Sequence, residues 1–586
     1  MLKFFTRLFA LIGLMVVISM AFSIAAIVQI AKRQPKEPET VILTLDFDAP
    51  ITEQSNLSPL SLALHEDQTA LLDMLRAIDK AKSDPHVKGI LAHFGSTQPK
   101  FAAVQEIRAA IKSFRSSGKF TYAFAPTYGE FGMGNRAYYL AAAFDNIWLQ
   151  PVGAVGLTGL AMQAPFGKTA LDNVGLKADF MQREEYKSFA DMGMRDNFAP
   201  PVRENMQALI DDLATQEAKD IAESRGFDEA HVRDLMQRGP FTDEEAVKEK
   251  LVTRLGYFDE LDEELDQKAG KDAKGLDANT YLTFTASDKI QPKTKVALIY
   301  GTGMILDKAD GASGITGERV MGADTIADAF DQATEDKDIK AILFRVDSPG
   351  GSPAASETIR RAMQHAQKKG KPVIVSMGDT AASGGYWVSM NADRIIADPA
   401  TLTGSIGVVA GKITGGDLLK KIGISFDTIK TADNAGMWSA TETFSPQQRE
   451  RVNALLDNSY RTFTQNVSAA RKIPLEKMPD VAKGRVWTGA QAAQLGLVDE
   501  LGGFNEALKA IRTKLNLAEN DVVGLENFPP PESPIERVMK LMKTLGLEEA
   551  ALRPLLLQGQ KIQALASLFT TKPQTFLSNV DANSVR

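Results

Sequence analysis

The chain has 586 residues, 44% hydrophobic and 24% charged, which excludes wholesale disorder or a collagen-like fibre and is too long for one hydrophobic core. Acidic residues outnumber basic ones, 74 to 67, for a net charge of −7, so no nucleic-acid partner is expected. Cysteine is absent and histidine occurs only at His65, His86, His93, His231 and His365, which removes disulfides, thiol catalysis and Cys-ligated metal centres.

Leu8 to Ile30 is a run of 23 residues broken only by Gly13, Ser19, Ser23 and Gln29. At about 1.5 Å per residue it spans the roughly 30 Å hydrocarbon core as a helix, and it is longer than the roughly 7–15 apolar residues of a cleaved signal peptide. It is expected to be an uncleaved transmembrane signal anchor, within a segment 1–39 that also holds a short cytoplasmic stub and a linker. The flanking Lys3, Arg7, Lys32, Arg33 and Lys36 are too evenly placed for the positive-inside rule to fix orientation. A cysteine-free chain favours the oxidising side of a bacterial membrane for the remaining mass.

The rest is written twice. VKGILAHF at 87–94 matches IKAILFRV at 339–346, an offset of 252 that also relates Leu71–Lys82 to Ala323–Thr334 and 107–119 to 359–371. Further on the offset becomes 248: YYLAAAFDNIWLQP at 138–151 aligns with YWVSMNADRIIADP at 386–399, so the first copy carries about four extra residues near Ala125–Phe131. In each copy short apolar runs (89–92, 341–346, 372–376) bounded by Gly, Asp and Ser read as buried parallel strands. Between them, Leu71, Leu72, Leu75 and Ile78, and likewise Ile326, Phe330 and Ala333, have helical spacing. The pattern predicts an α/β fold with helices on parallel sheets. Pro201–Arg225 and Pro446–Lys472 read as helical extensions. The expected division is a first repeat at 40–266, a Lys/Asp/Gly-rich linker at 267–293, a second repeat at 294–516 and a helical tail at 517–586, in which Ile535, Val538, Met539 and Met542 form a stripe.

The chemistry lies where the copies differ. In the second, Ala381-Ala-Ser-Gly-Gly-Tyr386 connects a strand at Val373–Met377 to a helix beginning near Tyr386. A serine among small residues at a helix N-terminus suits a nucleophile, because unpaired N–H groups and the helix dipole favour developing negative charge. It suits a plain N-cap serine equally. The first copy has Asn135-Arg136-Ala137 there. Asp347-Ser-Pro-Gly-Gly-Ser352 ends another strand; its glycines offer backbone N–H groups to an oxyanion, or make a plain turn. A serine nucleophile needs a base. His365 falls in a helix and reads as a surface residue. Lys187, in Glu184-Glu-Tyr-Lys-Ser188 of the first copy, falls on Ala435 of the second. The first copy thus keeps a lysine without the serine, and the second a serine without the lysine, which one site shared between halves would account for; by spacing alone Lys187 is equally just one of 67 basic residues.

Val346-Asp-Ser-Pro-Gly-Gly-Ser352, Ala382-Ser-Gly-Gly-Tyr386, Thr403-Gly-Ser-Ile-Gly-Val408 and Tyr186-Lys-Ser188 resemble, in order, the motifs of the long, two-repeat form of the signal peptide peptidase A (protease IV) family, over roughly 40–515. The resemblance implies two tandem crotonase/Clp-protease-like domains behind one transmembrane helix. It implies a Ser/Lys endopeptidase that degrades signal-peptide remnants and similar apolar peptides. Ser383 would be the nucleophile, Lys187 the general base, Ser405 the residue orienting the lysine, and Gly350 or Gly351 an oxyanion donor. No metal or cofactor is implied. A homotetramer held at the bacterial inner membrane, with its catalytic region on the periplasmic side, is. Glu184 and Glu185 depart from the ideal, since acidic neighbours raise a lysine pKa; they are expected to face solvent. The competing expectations are a crotonase-type acyl-CoA enzyme and a non-catalytic, membrane-tethered peptide-binding scaffold.

Overall fold

The computed structural model describes residues 38–54, 69–97, 99–285, 292–308, 320–530 and 576–578. The expected anchor at Leu8–Ile30 and the stripe at 535–542 lie outside the described residues. Among those residues no helix is long and apolar enough to cross a membrane.

The first repeat contributes β1 (Val41–Asp46), β2 (Val87–His93), β3 (Phe120–Ala125), β4 (Asn146–Leu149), β5 (Lys177–Arg183), β6 (Arg254–Leu255) and β7 (Lys274–Asp277). Six of them form a parallel sheet in the order β6-β4-β3-β2-β1-β7. Its helices include α1 (Leu71–Ser83), α2 (Phe101–Arg115), α3 (Asn135–Ala141), α4 (Pro200–Arg225) and α5 (Ala278–Thr285). The apolar stripe of α1 is buried at Leu71, Leu72, Leu75 and Ile78, as its spacing predicts.

The second repeat repeats the plan with β8 (Thr294–Thr302), β9 (Ile339–Ser348), β10 (Val373–Ala382), β11 (Arg394–Ala397), β12 (Leu402–Gly404), β13 (Val408–Thr414), β14 (Val486–Thr488), β15 (Glu500–Leu501) and β16 (Val523–Phe528). Its sheet runs β14-β12-β10-β9-β8-β16, with β11 joining β10 to β15. Every pairing on that path is parallel except β14 on β12. Its helices include α6 (Ala323–Glu335), α7 (Pro353–Lys368), α8 (Gly384–Ser389), α9 (Pro446–Arg471) and α10 (Phe504–Lys514).

Two stretches differ from expectation. The segment predicted as linker contains β7 and α5: a short edge strand buries little and so tolerates Lys, Gly and Asp; β7 pairs in parallel with β1. In the segment predicted as helical tail, β16 instead pairs with β8 and buries Val523 and Leu525. A further strand, Phe576–Ser578, lies antiparallel on β16.

The repeats are not beads on a string. One apolar cluster runs from Leu43, Ile90 and Ile107 of the first repeat into Leu298, Leu343, Ile374 and Phe504 of the second. Within the seam Arg345, 1% exposed, is bonded to Glu53 at 2.8 Å and Glu106 at 2.7 Å, both from the first repeat. Its guanidinium also reaches Ser376 Oγ at 2.8 Å and stacks 4.3 Å from the Phe504 ring centre. A second junction is the antiparallel ribbon of β5 with β13, paired from Lys177–Thr414 to Arg183–Val408. The loop following β5 is thereby delivered onto the second repeat.

Candidate active site

β10 changes partners along its length: Ile374–Met377 pair with β11, and Thr380–Ala382 with β12. This carries the strand through to Ala382, beyond the Met377 end expected from its apolar run, and α8 begins at Gly384. Ser383 is the single residue between. Its N–H donates to Gly404 O at 2.9 Å, and its backbone sits at φ 55°, ψ −116°. Such a conformation costs a non-glycine residue about 1–3 kcal/mol and persists where surrounding structure enforces it. Of the two readings of this serine, the cap bond is not made: its side chain accepts nothing from the helix.

Its hydroxyl instead meets the lysine. Lys187 Nζ lies 2.9 Å from Ser383 Oγ, 2.9 Å from Ser405 Oγ and 3.1 Å from Ser405 O. The lysine is 6% exposed, and burial pushes its amine down to about 8, since the charged form loses its hydration. Glu185 is exposed and paired with Lys483 Nζ at 3.0 Å; Glu184 is half-buried. Ser405, at φ 49°, donates its N–H to Arg485 O at 2.8 Å. His365 is exposed on α7. The elements thus bring together Lys187, Ser383 and Ser405, from three separate stretches of sequence.

The glycine turn after β9 stands beside them. Gly350 has φ 106°, open to glycine, and a Cβ there would come within 2.6 Å of Gly384 N. Its own N–H donates to Ser348 Oγ at 3.1 Å. Of the two glycines expected to serve an oxyanion, Gly350 is therefore engaged and shapes the turn. The N–H groups of Gly351 and Gly384 have no acceptor among the described residues; a Cβ on Gly384 would lie 3.0 Å from Gly351 N, so the two donors share one small space. Sequence reasoning missed Gly384; the signal was its place as the first residue of a helix, where N–H groups are orphaned.

The same place in the first repeat holds no such chemistry. Asn135, at the position of Ser383, is buried and accepts the Thr158 N–H at 2.8 Å. Leu157, at the position of Ser405, is fully buried. What the first repeat supplies to the site is its lysine loop.

Comparison with known proteins matches residues 115–272 and 365–518 to the model for peptidase family S49. The chain is 32% identical over 506 residues to Protease 4 of Haemophilus influenzae, covering 81% of this chain and 78% of that protein. It is 33% identical to Protease 4 of Salmonella typhi, over 75% of this chain and 71% of that one. It is 30% identical to the chloroplastic serine protease SPPA of Arabidopsis thaliana, over 78% and 68% respectively.

Proposed function

The chain belongs to peptidase family S49, and from that premise we propose that it is an endopeptidase working through a Ser383–Lys187 dyad on apolar peptides, signal-peptide remnants among them. The observation that carries the reading is the 2.9 Å approach of a buried, uncompensated lysine amine to a serine hydroxyl.

The chemistry follows from that contact. Neutral Lys187 takes the Ser383 proton as Oγ attacks the scissile carbonyl, a general-base contribution of roughly 10²–10⁴. Ser405 Oγ and O hold the amine in line and leave it a single productive direction. The N–H groups of Gly351 and Gly384 receive the oxyanion; one such donor contributes about 10²–10³ in rate. Lys187 then returns the proton to the leaving amine, and water, activated by the same lysine, releases the acyl-enzyme.

Apolar substrates are supported by the surface around the lysine loop: Phe189 is 65% exposed, and Met192 and Met194 beside it are also exposed. Such side chains favour partners with apolar side chains of their own. Exposed Ile422, Phe426, Ile429 and Trp438 on the segment after β13 support self-association, in our reading as a homotetramer. The run Leu8–Ile30 would anchor the assembly in a bacterial inner membrane with the site on the periplasmic side, where spent signal peptides remain.

The test is hydrolysis of an apolar, signal-peptide-like fluorogenic peptide by the full chain in detergent, beside Lys187→Ala and Ser383→Ala. Cleavage by the parent alone supports the reading. A well-folded parent oligomer that binds the peptide without cutting it would make the chain a tethered scaffold. Turnover of an acyl-CoA thioester unaffected by Ser383→Ala would make it an enzyme of the crotonase type.

A further inference from the structure

The loop that carries Lys187 belongs to the first repeat, but the surface it leans on belongs to the second. Tyr186 N–H donates to Lys483 O at 3.2 Å. Gly484, at φ 80°, lies flat against the lysine: a Cβ there would come within 2.6 Å of Lys187 N and 2.7 Å of Lys187 Cβ. Gly484 N–H donates to Ile406 O at 2.8 Å, and Arg485 O accepts the Ser405 N–H at 2.8 Å. One short run of backbone therefore holds both the loop of the amine and the loop of its hydroxyl partner.

The side chains of that run neutralise the acids nearby. The Arg485 guanidinium stands 4.6 Å from the Trp487 ring centre and 5.2 Å from that of Tyr186. It donates to Glu204 Oε1 at 2.8 Å, while the Tyr186 hydroxyl donates to Glu204 Oε2 at 3.2 Å. Lys483 Nζ holds Glu185 at 3.0 Å. The polar and charged groups packed around the lysine loop are Arg183, Glu184, Glu185, Tyr186, Ser188 and Asp191 on the loop and its flanks, Glu204 on α4, Asp457 on α9, which Arg183 holds at 2.6 Å, and Ser383 and Ser405. To these are added Lys483 and Arg485, and Tyr460 on α9, whose hydroxyl accepts the Lys483 N–H at 3.3 Å. Glu185 and Glu204 are held by residues of the other repeat, and Asp191 by Arg195 of its own.

We propose that Arg485, assisted by Lys483, is a positioning residue for the Lys187 base: it clasps the lysine loop to the repeat that carries Ser383 and keeps Glu204 and Glu185 turned from the amine. The inference rests on the reading of Lys187 as the base. The Arg485 side chain touches no reacting atom; it acts through Tyr186 and Glu204. Released from Arg485, the half-exposed Glu204 keeps only its bond from the Tyr186 hydroxyl and is free to turn towards the desolvated amine of the next residue, where an anion stabilises the protonated form.

The test uses the full chain in detergent with Arg485→Ala, Arg485→Lys, and Arg485→Ala combined with Glu204→Gln. Arg485→Ala is expected to lower kcat by roughly tenfold or more, the loss of one charge-assisted contact, with KM within about twofold. The pKa limiting kcat/KM should move up by about half a unit or more. Removing the freed carboxylate in the double variant should return that pKa while kcat stays low. Arg485→Lys, which keeps the charge and loses the flat stack, should recover part of kcat, and it serves if the alanine variant does not fold. Lys187 is also titrated directly, by NMR of ¹³C-methylated lysines with the signal identified by its loss in Lys187→Ala; it should show the same upward movement. Unchanged kcat in Arg485→Ala, or lost kcat with both titrations unmoved, would overturn the clasp and leave Arg485 a packing residue. A parent that cleaves no peptide, yet whose Lys187 signal still moves in Arg485→Ala, would sink the peptidase reading and leave the clasp standing.

Discussion

Lys187 Nζ and Ser383 Oγ stand 2.9 Å apart although 196 residues separate them in the chain, one residue from each repeat. Neither half contains a workable site: the first repeat presents Asn135 where the second has Ser383, and the second presents Ala435 where the first has Lys187. Groups that act as one unit are non-additive on removal. Lys187→Ala and Ser383→Ala should each lower kcat/KM by roughly 10³-fold or more, and the double variant should be no worse than either single one. Progress curves on one fluorogenic peptide check both statements; additive losses would mean the two residues work independently.

A lysine acting as base must be neutral to accept a proton, and burial sets the Lys187 amine at about 8. Below that pH the protonated fraction dominates, so kcat/KM should rise about tenfold per pH unit, bend near 8 and level above it. A profile flat from pH 6 to 10, measured with a substrate lacking titratable groups, would remove the lysine from the role.

The same shift has a cost in stability. The unfolded lysine holds its proton up to about 10.5 and the folded one only to about 8. Between those values the unfolded chain binds more protons, so stability rises with pH across that window. Below it the penalty is complete, about 3 kcal/mol by linkage. Lys187→Met, which buries a similar shape without charge, should therefore gain on the parent most below pH 8, the gain fading towards pH 10.5. Urea midpoints of parent and variant at pH 7 and pH 10 measure it.

Much of this was legible in the sequence, for physical reasons that differ by residue. Buried parallel strands must be apolar on both faces, so 89–92 and 341–346 announced themselves and, by repeating, announced the duplication. The stripe of α1 follows from helical periodicity alone. Ser383 and Lys187 stood out because each copy retains what the other lacks. Gly384 did not, since the useful group is a backbone N–H that every non-proline residue carries, and only a helix start leaves it free. β7 was invisible because a sheet-edge strand of Lys, Gly, Leu and Asp buries almost nothing. Arg345 is a charge inside the run Ile339–Ser348 and so is readable as anomalous, but its partners Glu53 and Glu106 come from another repeat and no local pattern names them.

Ser405 holds the amine through both its hydroxyl and its carbonyl. Ser405→Ala removes the first and keeps the second, so the lysine stays near Ser383 with one restraint fewer. The expected loss is about 10- to 100-fold in kcat, the equivalent of one hydrogen bond to a group that becomes charged. KM should hold if Ser405 acts, as proposed, only on Lys187. A loss confined to KM would place Ser405 in the peptide groove instead.

Arg345 offers the sharpest test of the seam between repeats. It is buried among Glu53, Glu106 and, close by, Asp398, and burial drives the carboxyls of Glu106 and Asp398 upward in pKa, with the neighbouring acids Glu53 and Glu106, respectively, adding to the rise. Arg345→Met preserves much of the volume but deserts Glu106, which is buried, and Glu53, which is only slightly exposed. Removing one partner of a buried pair typically costs about 3–5 kcal/mol, and the deserted acids can recover part of it only by taking up protons. A group whose folded pKa is raised contributes stability that is complete below its unfolded pKa and is lost as pH rises through the folded one. The variant should therefore be much weaker than the parent at pH 7 and nearer to it at pH 5, the opposite trend to that of an exposed ion pair broken by acid. Because the Lys187 loop and the Ser383 turn sit on opposite sides of this seam, peptide hydrolysis by Arg345→Met should fall with it at pH 7. Thermal midpoints at the two pH values decide the matter: a gap that stays constant would mean that the carboxylates are solvated or paired without Arg345.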